Sequence, residues 1–264
     1  MRVSEFMTPG PVTVEGDEEL DTALRLMERH DVRHLPVVEG KTLVGVLSDR
    51  DLLKATGGVQ GTGRSTEKNR VRDHAVPAPF VADPDDSAVS VLVEVVARGI
   101  GCLPVVRGGE LIGIVSEMDL LREFVRAVDR GEVAGSTSVT VKHLMTRAPR
   151  TVRTTDSIEV AFRLMEGGAV RHVPVTEDGK LVGILSDRDL RRAHAFGFGS
   201  ETAAAEEMTP RPVTVTSTTM ARDAAHAMRK QKLGALPVVD DGELVGILTI
   251  PDLLDHAVGA LRLA

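Results

Sequence analysis

A ten-residue string recurs four times along this chain, and that recurrence leaves few folds open to it. LVGVLSDRDL (43–52), LIGIVSEMDL (111–120), LVGILSDRDL (181–190) and LVGILTIPDL (244–253) align without a gap. Each follows a proline, Pro36, Pro104, Pro174 or Pro237, standing in LPVV, LPVV, VPVT and LPVV. The spacing of those prolines makes the repeating unit about 60 to 70 residues long, and internal repetition of this kind dictates the architecture before any local propensity does. Three units open on EFMTPGPVTV, HLMTRAPRTV and EEMTPRPVTV, the second on a degraded DHAVPAPFVA. A unit this short buries too little apolar surface to be comfortable alone, so the copies are expected to pair.

Within a unit the hydrophobic period switches from helical to extended and back. Leu20, Ala23, Leu24 and Met27 fall at i, i+3, i+4 and i+7, which predicts an amphipathic helix over 17–30 with Asp17 as its N-cap. Asp156 and Glu159 read as a capping box before the equivalent helix of repeat three. Two apolar runs follow, Leu35–Val38 and Leu43–Leu47 in repeat one. They are joined by Glu39-Gly40, as their counterparts are by Asp178-Gly179 and Asp241-Gly242, which is the signature of a β-hairpin. A second helix closes the unit, with Ser48, Ser116, Ser186 or Thr249 at its N-cap and Asp51, Asp119, Asp189 or Asp252 in its first turn. The expected order is short strand, helix, strand, strand, helix.

The small, polar stretch Gly131–Ser138 divides the chain near its midpoint and predicts two modules, 1–131 and 139–264. Their units run about 1–57 and 70–131 in the first, and about 139–197 and 204–264 in the second. The apolar stripes suggest that paired units meet through helices, Leu20, Leu24 and Met27 against Val89, Leu92 and Val96. Gly57–Asn69 is a further Gly/Ser/Thr-rich connection. It contains a P-loop-like spacing at 58–65 with Arg64 where lysine belongs; a P-loop must follow a strand and open an apolar helix, and neither condition holds there.

This pattern of strand, helix and hairpin, with LPVV before the hairpin and S/T-x-x-D opening the last helix, resembles the CBS domain, named from cystathionine β-synthase. The resemblance spans nearly the whole chain. It implies an α+β fold of four β-α-β-β-α units paired into two Bateman modules, in a layout similar to the γ subunit of AMP-activated protein kinase. It also implies clefts between paired domains that bind adenosine-containing ligands, with no catalytic role and no catalytic cofactor. In that family the S/T-x-x-D aspartate meets ribose hydroxyls and basic residues before the proline meet phosphate. Carried onto this chain, the pattern names Ser48 and Asp51, Ser186 and Asp189, Arg33 and His34 before Pro36, and Arg171 and His172 before Pro174. Repeats two and four read Gly101-Cys102 and Gly234-Ala235 where the basic pairs stand. Ser116, Asp119, Thr249 and Asp252 are accordingly weaker candidates, and one strong site per module is expected. The adenine slot corresponds to Thr13, Val14 and Leu35, to Thr151, Val152 and Val173, and more weakly to Thr214 and Val215.

Each assignment has a plainer reading. A Ser and an acidic residue at a helix start are ordinary capping, an Arg-His pair can be a solvated edge, and Thr and Val are common strand residues. Arginine nonetheless suits phosphate, because its planar fork holds two oxygens by charge-assisted hydrogen bonds.

Composition narrows the partners. With 32 basic residues against 39 acidic the net charge is −7, which disfavours nucleic acid, and 2% aromatic content leaves little to stack unpaired bases on. A single cysteine, Cys102, excludes an intrachain disulfide and suggests a reducing, cytoplasmic setting. No apolar run approaches the ~18 residues a membrane span needs. The scattered histidines show no metal-ligating spacing. The sequence therefore points to a regulatory protein binding AMP, ADP or ATP, as a monomeric disc or a homodimer, acting on a protein partner it does not name. S-adenosylmethionine or a dinucleotide as ligand, or a nucleic-acid or protein scaffold without a small ligand, are the alternatives.

Overall fold

The computed structural model describes residues 1–55, 70–133, 138–168, 170–195 and 201–262. Repeat one runs β1 (Thr8–Pro9), β2 (Val14–Glu15), α1 (Leu20–His30), β3 (His34–Glu39), β4 (Thr42–Ser48) and α2 (Asp49–Ala55). Repeat two follows with α3 (Val71–His74), β5 (Val76–Pro77), α4 (Ala88–Arg98), β6 (Cys102–Arg107), β7 (Glu110–Ser116) and α5 (Glu117–Asp129). The third has β8 (Thr146–Arg147), β9 (Val152–Arg153), α6 (Ile158–Gly168), β10 (His172–Glu177), β11 (Lys180–Ser186) and α7 (Asp187–Ala195). The last has α8 (Ala204–Glu207), β12 (Thr209–Pro210), α9 (Ala221–Gln231), β13 (Ala235–Asp240), β14 (Glu243–Thr249) and α10 (Ile250–Arg262). The hairpins turn as the sequence suggests: Asp178-Gly179 and Asp241-Gly242 both have positive φ at each residue, the backbone of a tight I′ connection.

Two capping expectations are corrected. Helix α1 starts at Leu20, with Glu19 at the N-cap and no side-chain cap bond; Asp17 is drawn away into an ion pair with Arg72 of repeat two. Asp156 accepts the Arg153 N–H at 2.7 Å, and Glu159 pairs with Arg163 at 2.9 Å, so the two acids serve separate partners and form no box. The P-loop-like string, the whole of Gly57–Asn69 with it, and residues 134–137 of the midchain linker lie outside the described residues.

Strands join the repeats in pairs. The opening strand of each repeat leaves its own hairpin and pairs with that of its neighbour. β1 lies against β7, with Pro9 opposite Gly113, and β5 lies against β4, with Pro77 opposite Gly45. The second half repeats the exchange through β12 on β11 and β8 on β14. This crossing explains why glycine recurs in the ten-residue string. A Cβ at Gly113 or Gly246 would come within 2.5 Å of the sulfur of Met7 or Met145, and one at Gly183 would strike Met208. The Met of each Met-Thr opening therefore fills the space its partner's glycine leaves. Repeat two has Ala75 in place of that Met, and a Cβ at Gly45 would lie 3.2 Å from the Ala75 methyl and 3.0 Å from the Val76 carbonyl.

Helices join the two halves, which corrects the expectation that they pair repeats within a module. Leu20 and Met27 belong to the core of repeat one. Leu92 belongs to a different core, shared by repeats two and four, where Val91, Val95, Leu121 and Val125 pack with Ala221, Ala225, Met228, Leu253 and Leu254. Val89 is 47% exposed. The reason is topological: strand exchange already uses the hairpin side of each repeat, which leaves the helical side for the other half of the chain.

The seam between repeats one and three is smaller and more polar. Leu53 of repeat one enters the core of repeat three. At the same place in repeat three stands Arg191, 1% exposed, whose guanidinium reaches back to Glu28 at 2.7 Å, the Val32 carbonyl at 3.2 Å and Asp49 at 3.7 Å. Arg188 pairs with Asp31 at 3.0 Å and Arg50 with Asp187 at 3.7 Å across the same seam. Contacts thus close a ring: one to two by strands, two to four by helices, four to three by strands, three to one by helices.

Candidate ligand-binding site

The basic pairs stand at the start of β3 and β10, and the residue after each N-cap Ser or Thr is tied to the same region by a backbone bond. Asp49 N–H donates to the Arg33 carbonyl at 2.9 Å, Asp187 to Arg171 at 3.1 Å, Glu117 to Gly101 at 3.2 Å and Ile250 to Gly234 at 3.2 Å. Each repeat therefore brings these two positions together toward the middle of the ring, with side chains at both in repeats one and three and a glycine at one of them in repeats two and four.

There the two halves interlock. A Cβ at Gly101 of repeat two would lie 2.8 Å from the imidazole of His34 in repeat one and 3.1 Å from the guanidinium of Arg171 in repeat three. In mirror fashion, a Cβ at Gly234 of repeat four would lie 2.8 Å from the ring of His172 and 3.4 Å from the Arg33 guanidinium. Repeats two and four lack basic residues here because their glycines make room for the arginines and histidines of repeats one and three.

Burial sets the charge state of this centre. Desolvation, with Arg33 and Arg171 adding to it, pushes His172 down to about 3; His34 falls to about 4, desolvation outweighing the attraction of Asp49. Desolvation, reinforced by Asp49, lifts Asp187 to about 7. Burial also raises Glu117 against the pull of Arg171, and lowers Arg33. Cys102, beside Gly101, is driven up to about 12 by burial and Glu117, which keeps it a thiol. The centre thus holds two neutral imidazoles among guanidiniums and carboxyl groups that burial has partly stripped of water.

The Ser/Thr–Asp strings are all engaged as caps. Asp51 Oδ2 accepts from Ser48 N–H at 3.0 Å and from Ser48 Oγ at 2.6 Å, and the same pair recurs at Ser116/Asp119, Ser186/Asp189 and Thr249/Asp252. The copies differ in the second carboxylate oxygen: Arg122 holds that of Asp119 at 2.8 Å and Arg192 that of Asp189 at 3.4 Å. Among the described residues no such arginine stands on Asp51 or Asp252. Of the adenine-slot residues, Val14 and Leu35 lie in the core of repeat one, and Val152 and Val173 in that of repeat three, so their side chains are committed to packing. Thr13 is half-buried, Thr151 and Thr214 are exposed, and Val215 bridges in parallel to Val238.

The sequence reading missed Asp49, Glu117, Asp187, Gly101 and Gly234 as parts of the centre. A signal was there: the residue after the N-cap is Asp in repeats one and three, Glu in two and Ile in four. A separate open cavity of about 540 Å³, lined by Arg122, Arg126, His226, Ala227, Arg229, Lys230 and Gln231, includes none of these groups. No helix among the described residues is long and apolar enough to cross a membrane.

The family model described as "CBS domain" matches residues 3–58, 71–126, 141–195 and 204–259. The uncharacterized protein MJ1404 of Methanocaldococcus jannaschii is 29% identical over 96% of this chain, and the match spans 61% of MJ1404. The same organism's MJ1225 is 25% identical over 93% of this chain and 94% of its own length. Its crystal structure, described as that of a candidate archaeal homologue of γ-AMPK, superimposes with a TM-score of 0.82 at 20% identity, covering 97% of this chain and 99% of that one. An uncharacterized conserved protein from Pyrococcus horikoshii superimposes at 0.66 with 22% identity over 97% of this chain.

Proposed function

We propose that this chain, which belongs to the CBS-domain family, is a non-catalytic regulatory protein that binds an adenine nucleotide, AMP, ADP or ATP, in the clefts between its paired repeats and directs the phosphate toward the centre of the ring. The observation that carries this reading is the convergence of Arg33, His34, Arg171 and His172 on Gly101 and Gly234. Guanidiniums held in a partly desolvated centre, with Arg33 in no ion pair among the described residues, favour an anion, and phosphate meets the fork geometry of arginine. The S/T-x-x-D strings fit ribose in a graded way. Asp51 and Asp252 keep one carboxylate oxygen for a hydroxyl, whereas Asp119 and Asp189 would have to give up an arginine.

Because Arg33 and Arg171 reach from one half of the chain into the other, phosphate would join the halves and shift their relative orientation; a partner protein would read that shift. Calorimetry on the purified chain with adenosine, AMP, ADP, ATP and S-adenosylmethionine tests the reading. AMP should bind more tightly than adenosine, and Arg33→Ala should weaken AMP by on the order of 1.5–3 kcal/mol, the size of a lost charged hydrogen bond, while leaving adenosine almost unchanged. If S-adenosylmethionine binds and the nucleotides do not, or if Arg33→Ala weakens adenosine as much as AMP, the nucleotide assignment is wrong.

A further inference from the structure

The centre has a twofold pattern that is broken beside its two glycines. Residues 117 and 250 occupy the same step after the N-cap and carry the same backbone anchor, to Gly101 and to Gly234. One is Glu and the other Ile. Glu117 places its carboxylate 3.2 Å from the Arg171 guanidinium, with side-chain exposures of 16% and 29%. At the mirror position Ile250 is 5% exposed and offers no charge to Arg33.

Neither remaining acid pairs directly with Arg33. Asp187 lies 3.7 Å from Arg50, and Asp49 lies 3.7 Å from Arg191, whose guanidinium is bonded to Glu28 at 2.7 Å and leaves Asp49 Oδ2 without a hydrogen bond. Arg33 feels Asp49 and Asp187 at longer range, opposed by Arg171 and Arg188, and it makes no ion pair within 4 Å among the described residues. A guanidinium enclosed in this way without a counter-ion seeks an external one. Arg171 already has an internal one.

We propose that residues 117 and 250 make the two anion positions unequal: the position at Gly234, formed by Arg33 and His172 beside Ile250, takes the phosphate of a nucleotide, whereas the position at Gly101, formed by Arg171 and His34, is held by the chain's own Glu117 and admits an adenosine ligand only when that ligand carries no anionic group at its 5′ end. Glu117 is then a specificity-determining residue, an internal stand-in for phosphate. This rests on the adenosine-ligand reading above and adds to it a ligand class for each position. One strong nucleotide site per module, the expectation from the basic pairs alone, becomes one phosphate-selective and one phosphate-excluding position per chain.

The test is calorimetry of AMP and adenosine on the full chain and on Arg33→Ala, Arg171→Ala, Glu117→Ile, Glu117→Gln and Ile250→Glu, each checked by thermal melting. The wild-type chain should show a single phosphate-dependent AMP site, weakened about thirtyfold by Arg33→Ala, within the range for a charged hydrogen bond, and unmoved by Arg171→Ala. Glu117→Ile should add a second AMP equivalent that Arg171→Ala then removes. Glu117→Gln should do the same more weakly, and it serves if the isoleucine variant melts early. Ile250→Glu should weaken AMP at least about tenfold and leave adenosine unchanged. If Arg33→Ala and Arg171→Ala weaken AMP alike, or if neither Glu117 variant changes the number of AMP sites, this inference falls while the nucleotide reading stands. If neither AMP nor adenosine binds any of these proteins, the nucleotide reading itself falls.

Discussion

His34 and His172 are kept neutral by burial, which ties the stability of the fold to pH in a direction that can be worked out. Their folded-state pKa values, about 4 and about 3, lie below the ordinary 6.5. Above pH 6.5 neither state carries the proton and there is no effect. As pH falls below 6.5 the unfolded chain takes up two protons that the folded chain refuses, and stability drops until the folded values are reached. Asp187 acts oppositely. Its pKa, raised from 3.8 to about 7, means that the folded chain binds a proton first as pH falls through 7, a contribution that is complete below pH 3.8 and lost above 7. Glu117 shifts in the same direction. For these three groups alone, two histidines against one aspartate leave a slope of about 1.4 kcal/mol per pH unit between pH 6.5 and 4. Urea unfolding at pH 7 and pH 5 should therefore show a loss of stability in acid. His172→Gln should flatten the loss and Asp187→Asn should steepen it. A wild-type chain equally stable at both pH values, with neither variant altering the comparison, would mean that the centre is hydrated and the histidines titrate normally.

At the scale of elements, the glycine of each hairpin is a packing residue whose cost of substitution depends on its neighbour. At Gly113 an added methyl meets first the sulfur of the flexible Met7 at 2.5 Å, with the Thr8 carbonyl farther off at 3.2 Å, whereas at Gly45 it meets the Val76 carbonyl at 3.0 Å and the Ala75 methyl at 3.2 Å. A long side chain can turn aside; a paired strand cannot. Gly45→Ala should cost on the order of 1–3 kcal/mol of overpacking strain in a denaturant titration, and Gly113→Ala clearly less. Equal costs at the two positions would show that the methionine is as fixed as backbone. The same elements mark how far sequence reading goes. The β-α-β-β-α order, the hairpin turns and the helix N-caps at Ser48, Ser116, Ser186 and Thr249 were legible because each rests on periodicity or turn chemistry within a few residues. The start of α1 was not, because Asp17 is claimed by Arg72 from another repeat. Nor was the face each repeat gives to its neighbour: apolar stripes on α1 and α4 say that something covers them, and only the exchange of the Met-Thr strands decides what. In the centre, Arg33, His34, Arg171 and His172 were readable from their place before the prolines. Gly101 and Gly234 were not, since a glycine that makes room for side chains of other repeats carries no local sign of doing so.

For the whole molecule, the two seams between the halves differ in kind, and this should govern how the ring opens. Repeats two and four share one continuous apolar core, whereas repeats one and three meet through Leu53 and a set of buried or half-buried ion pairs around Arg191. Buried charges hold only while every partner is present. Removing one leaves the others desolvated, at a cost of about 3–5 kcal/mol for an ion pair with its partner stranded, while replacement by an apolar residue of similar size is often far milder. Glu28 is 29% exposed and can regain water, which places Arg191→Ala near the lower end. Arg191→Leu, which copies Leu53 at the same step of repeat one, should cost less than Arg191→Ala, because it fills the volume the guanidinium leaves. Amide hydrogen exchange separates a local from a global effect: in Arg191→Ala, protection should fall in α1, α2 and α7 and persist in α5, α9 and α10. Because the proposed phosphate position is built from Arg33 of one half and Gly234 of the other, AMP should restore protection across the weakened seam. Loss of protection spread evenly over all four repeats would mean that the ring unfolds as one unit and that the polar seam is no weaker than the apolar one.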